Sequence, residues 1–133
     1  MSKLSVTSEL RKELLKYMDL RHVVDKRIFP LLVPADTDGA SIVIKRVQWH
    51  EGRNKFGKFD ETATLGVYII CDDYDESVSV AEVALECINH LRNDKHLAFE
   101  VVDSWEEAEG WESAGKTKYI QVLQVQCGTV YKG

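Results

Sequence analysis

The stretch WHEGRNKFGKFDE, from Trp49 to Glu61, threads Arg53, Lys55 and Lys58 between Phe56 and Phe59. Cations interleaved with aromatic rings are the makings of a single-stranded nucleic-acid site, where bases stack while the phosphates are neutralised. The neighbouring acids argue against that use. Glu51, Asp60 and Glu61 cancel the three bases, and the whole chain carries 22 Asp and Glu against 17 Lys and Arg, a net charge of −5. Affinity for a phosphate backbone grows with the number of phosphates neutralised, and the usual basic stripe is missing. No specific nucleic-acid binding is expected; a protein contact fits the residues better.

Asp72 to Glu76, DDYDE, is the strongest metal candidate, because hard cations take clustered oxygens. The same acids also suit the positive end of a helix, and no matching group with histidines stands elsewhere, so no metal site is assigned. His90 and Asp94 share an i, i+4 face that could orient an imidazole, yet no nucleophile elbow or phosphate-binding glycine motif occurs. No catalytic residue, metal or cofactor is therefore expected. Cys71, Cys87 and Cys127 form no C-x-x-C pair and sit on apolar stretches, as buried reduced thiols do.

Ser104 to Glu112, SWEEAEGWE, sets Trp105 and Trp111 around Glu106, Glu107 and Glu109. Read as a loop, it either folds its indoles onto a sheet edge or meets a basic partner surface. One such surface exists in the chain itself. If Trp49, Arg53, Lys55, Phe56, Lys58 and Phe59 of one copy reached Trp105, Glu106, Glu107, Glu109 and Trp111 of the next, the contact would be head-to-tail and could close a ring.

The elements that must position these residues follow from periodicity. Val6, Leu10, Leu14, Tyr17 and Met18 make one apolar stripe, placing a helix at about 5–19 capped by Thr7 or Ser8. Val23 to Val33, interrupted by Pro30, reads as an edge strand or irregular arm, and PADTDGAS as a turn. Ser41–Trp49 and Thr62–Cys71 are strands. The opening stretch then becomes a hairpin tip of about a dozen residues, longer than most hairpins need. Val80, Ala81, Val83, Ala84, Cys87, Ile88 and Leu91 mark a second helix, with Ser79 and Glu82 at capping-box spacing and Ser77 as a rival cap. Leu97–Val102 and Lys118–Cys127 complete the strands, Gln121, Gln124 and Gln126 marking the last as partly exposed.

At 133 residues and 15.2 kDa this is one domain, residues 1–133, large enough for a core without staples. The order is helix, arm, two strands, helix, two strands. This predicts an α+β fold, an antiparallel sheet with two main helices on one face. No apolar run reaches the length of a membrane span, and MSKLSVTSELRKEL lacks the apolar centre of a signal peptide. No membrane partner is expected.

The leading helix SELRKELLKYMDL, the phrase RIFPLLVP, the strand SIVIKRV, the helix SVSVAEVALECINHL and the closing KYIQVLQVQ together resemble the tail terminator, or tail-completion, proteins of long-tailed bacteriophages and prophages. The similarity spans roughly residues 8–127; Ala40-Ser41 stands where members often have Pro-Tyr. The resemblance implies a non-enzymatic virion morphogenesis protein. It would form a ring with copies of itself, a hexamer by analogy, on the tail tube protein and face the head–tail connector. It would work in the bacterial host cytoplasm during assembly and then in the virion tail. An acidic surface beside the DNA conduit would repel the duplex. Another head–tail connector component, or a bacterial protein-binding module on the same scaffold, is the alternative.

Overall fold

The computed structural model describes residues 5–34, 37, 39–53, 59–91, 98–111 and 116–130. Helices α1 (Val6–Lys16), α2 (Met18–Val24) and α3 (Tyr74–His90) accompany strands β1 (Ile28–Pro30), β2 (Ser41–Arg53), β3 (Phe59–Cys71), β4 (Ala98–Trp111) and β5 (Lys116–Val130). The strands form a single sheet in the order β1-β2-β3-β5-β4. Three pairings are antiparallel, and β1 lies parallel to β2. The fold is α+β, as the order of elements predicts, with the arm recruited as a parallel edge strand.

All three helices cover one face. Val6, Leu10 and Leu14 of α1, Leu20 and Val24 of α2, and Val80, Ala84, Cys87 and Ile88 of α3 pack onto Ile42, Ile44, Leu65, Val67, Ile69, Leu123 and Val125. Alternate residues on each strand feed this core, which is why the pattern of period two was readable. The leading helix is not the single rod expected at 5–19. Tyr17 adopts an extended conformation (φ −81°, ψ 108°) and splits it, turning the second piece so that Leu20 and Val24 face inward. Met18, placed on the buried stripe by the sequence, is left 64% exposed. Val23 and Val24 end α2 rather than opening an extended arm. Ser5, not Thr7 or Ser8, holds the N-cap position of α1.

Helix α3 starts earlier than the capping box suggests. Asp73 is its N-cap and accepts from Glu76 N at 3.0 Å. Ser77 lies within the helix, buried, donating to Tyr74 O at 2.6 Å. Ser79, two residues further on, is exposed. The aspartate wins because its carboxylate also meets the positive end of the helix dipole.

The two edges of the sheet differ in chemistry. On β1, Ile28 N donates to Lys26 O at 2.8 Å, and Ile28 O accepts from Arg11 Nε at 2.6 Å. Pro30 has no N–H, and its carbonyl accepts from Leu32 N at 2.9 Å. Among the described residues, strand β4, at the other edge, pairs only with β5 along Ala98–Trp111 and bulges between Val101 and Asp103.

Candidate interaction surface

The hairpin differs from its expected shape. Strands β2 and β3 stay paired from Ser41↔Ile70 out to Arg53↔Phe59, leaving only 54–58 between them. The ladder absorbs residues that the sequence assigned to a long tip, so length no longer marks this segment. The connection has the ordinary size of a hairpin loop. Arg53 and Phe59 sit on the last rung, Trp49 lies exposed on β2, and Lys55, Phe56 and Lys58 fall outside the described residues.

The SWEEAEGWE segment is strand, not loop: Trp105↔Val122, Glu107↔Ile120 and Glu109↔Lys118 are successive pairs on one face of β4 and β5. Asp103 through Glu109 is exposed on both faces, because α3 touches this edge only at its start, through Tyr74. A strand without a buried side shows no hydrophobic alternation, and its polar run reads as a loop. Trp105 Nε1 donates to Glu107 Oε1 at 2.9 Å on that helix-free face. On the other face Tyr74 OH donates to Glu106 Oε1 at 2.9 Å, tying the start of α3 to the edge strand. That bond, more than its partial desolvation, holds the Tyr74 phenol above its usual pKa. Trp111 pairs with Lys116 at the strand's end.

DDYDE is dispersed among separate partners. Asp72 forms an ion pair with Lys118, Asp73 caps α3, and Tyr74 meets Tyr119 edge-on at 5.9 Å. Among the described residues no three His, Cys, Asp or Glu gather as a metal would require. His90 lies 4.0 Å from Glu86 and 6.0 Å from the Tyr17 ring; Asp94 is outside the described residues. Burial, helped by nearby carboxylates, pushes the thiols of Cys71 and Cys87 up to about 12. All three cysteines are buried and none is in a disulfide, the state their apolar settings predicted. A thiol so held is a poor nucleophile at neutral pH.

The helix-free face carries a feature the sequence reading missed. Val43, Ile120 and Val122 are buried yet lie outside the main core. With Ile70 and Tyr68, two of them floor a groove of about 590 Å³ between the Leu31–Val33 arm and β4. Leu31 and Leu32 on its wall are each 65% exposed. Their display depends on a tight turn: Leu31 sits at φ 71°, and Leu32 N bonds back to Pro30 O at 2.9 Å. A γ-turn of this hand is rare and strained, especially at a leucine. Glu107 and Glu109 form the opposite rim. The floor had a signal in the sequence: Ile42–Ile44, Ile69-Ile70 and Val122-Leu123 are apolar at adjacent positions, so both faces of the sheet bury side chains.

No helix among the described residues is long and apolar enough to cross a membrane. No protein-family model matches the sequence, and no curated protein does. Among solved structures, the chain is similar to one from the "Virion of native gene transfer agent (GTA) particle", with a TM-score of 0.56 and 14% identity. The match covers 90% of this chain and 92% of that one. At this identity the likeness is one of fold.

Proposed function

We propose that this chain is a non-enzymatic virion morphogenesis protein of the tail terminator kind. It assembles as a ring on the end of a tail tube and presents a face to the head–tail connector. The observation that carries this reading is the likeness of fold, over nearly the full length of both chains, to a component of a gene transfer agent virion. The surface supports it too. The groove and the acidic edge strand belong to a protein that binds other proteins, since its well-placed polar groups are spent on caps and ion pairs. In this role its partners are copies of itself, the tube protein and the connector. It is made in the bacterial cytoplasm and ends in the virion. The hairpin end and β4 supply the subunit contact.

The test is deletion of the gene from the phage or prophage genome that encodes it, followed by electron microscopy of the particles. Tail tubes of uncontrolled length, unjoined to filled heads and restored by the protein in trans, are expected. Normal particles would overturn the assignment.

A further inference from the structure

The groove and the hairpin end stand at opposite ends of the same sheet. The floor includes Val43 and Ile70, near the start of β2 and the end of β3, whereas the hairpin turns after Arg53. At ~3.3 Å per residue along β3, Ile70 and the last rung at Phe59 are roughly 36 Å apart. A hairpin end therefore cannot reach the groove of its own chain.

We propose that this groove is the seat for the hairpin end, residues 53–59, of a second copy. The proposal rests on the ring-forming reading above and deepens it, giving the contact a defined receptor and ligand. Charge favours the pair. The segment RNKFGKF carries three cations and no acid, while Glu107 and Glu109 line the rim. The two lysines that share the groove are engaged: Lys118 with Asp72, and Lys45 over the Tyr68 ring at 5.0 Å. Shape favours it as well. Phe56 and Phe59 supply aromatic anchors of the type that fill apolar pockets at interface centres, and ≈590 Å³ is ample for both. The strained turn at Leu31 gains a purpose, because it holds two leucines out where an incoming ring would cover them. A seat at one end and a plug at the other make the contact heterologous, which closes a ring when the rotation allows.

The experiment titrates a blocked peptide of residues 53–59 into the isotope-labelled full chain at physiological salt. Amide shifts centred on Leu31, Leu32, Lys118 and Ile120 are expected. Affinity should fall at least ~10-fold in Leu31→Asp/Leu32→Asp and in Glu107→Lys/Glu109→Lys. A peptide bearing Lys55→Glu and Lys58→Glu should lose binding to the native chain and regain it on Glu107→Lys/Glu109→Lys. The altered side chains are exposed, so folding should persist, and urea midpoints will check it; if the leucine pair disturbs the turn, the charge swap still decides. No saturable shift at millimolar peptide, shifts elsewhere, or equal affinity in native and variant chains would overturn the proposal. Peptide binding makes no use of tails, so the seat and the virion role fail separately.

Discussion

The Tyr68 ring lies over Gly66, so that a methyl group added at Gly66 would stand 2.6 Å from Tyr68 Cε2. Both residues face the helix-free side of β3, and the same ring carries the Lys45 ammonium. Gly66→Ala must push the ring aside, at a cost of about 1–2 kcal/mol. In a Tyr68→Ala background the obstacle is gone and alanine suits a strand better than glycine, so the same change should be neutral or stabilising. Urea unfolding of the four chains measures the coupling; additive effects would show that the ring does not need the glycine.

The buried face of α3 makes a simpler contrast. Ile88 is fully buried, while Glu86 lies in solvent. Ile88→Ala is expected to cost ~2–4 kcal/mol and Glu86→Ala under ~0.5. Similar urea midpoints for the two variants would contradict this face.

Which residue starts α3 can be decided by substitution. Asp73→Ala removes the side-chain bond to Glu76 N and should lower stability by about 1 kcal/mol. Ser79→Ala should leave the thermal midpoint where it is. The reverse order would restore the capping box.

The thiols give a pH dependence. Cys71 and Cys87 lie at about 12 in the fold against 9.0 as the reference value. Their folded pKa is raised, so this contribution is whole below pH 9.0 and drains away as pH climbs toward 12. At about pH 10 each thiol should cost ~1.4 kcal/mol of stability. Cys71→Ala/Cys87→Ala should therefore show a smaller alkaline loss than the native chain. A thiol-specific dye at neutral pH should label native protein far more slowly than unfolded protein. Equal labelling rates would place a thiol on the surface.

Replacing 54–58 by Asn-Gly, a turn that suits a two-residue hairpin, should leave the unfolding midpoint within ~0.5 kcal/mol and abolish ring formation. Sedimentation in the presence of tail tubes reads the second effect. Rings that form normally would remove the hairpin end from the interface.

The sequence made the α+β order and the core of α3 legible because one buried face imposes a regular period on strands and helices. Three features escaped for physical reasons. The break at Tyr17 is a backbone turn within an unbroken apolar stripe. Strand β4 from Asp103 to Glu109 buries nothing, so backbone pairing to β5, invisible in the side chains, is what defines it. The groove needs Leu31–Val33 and β4 to flank the same sheet face, a relation between distant segments. Val43, Ile70 and Ile120 hinted at a second buried face without saying what formed its walls.

The difference between the sheet's two margins bears on solubility at high concentration. A fibre built by stacking strands needs every molecule to offer bonding groups on both flanks. Along β1 each outward donor and acceptor is already engaged by Lys26, Arg11 or Leu32, or is missing at Pro30. Two β4 margins brought together would set Glu100, Asp103, Glu106, Glu107 and Glu109 against their own kind. Strand-by-strand stacking is thereby disfavoured at both margins.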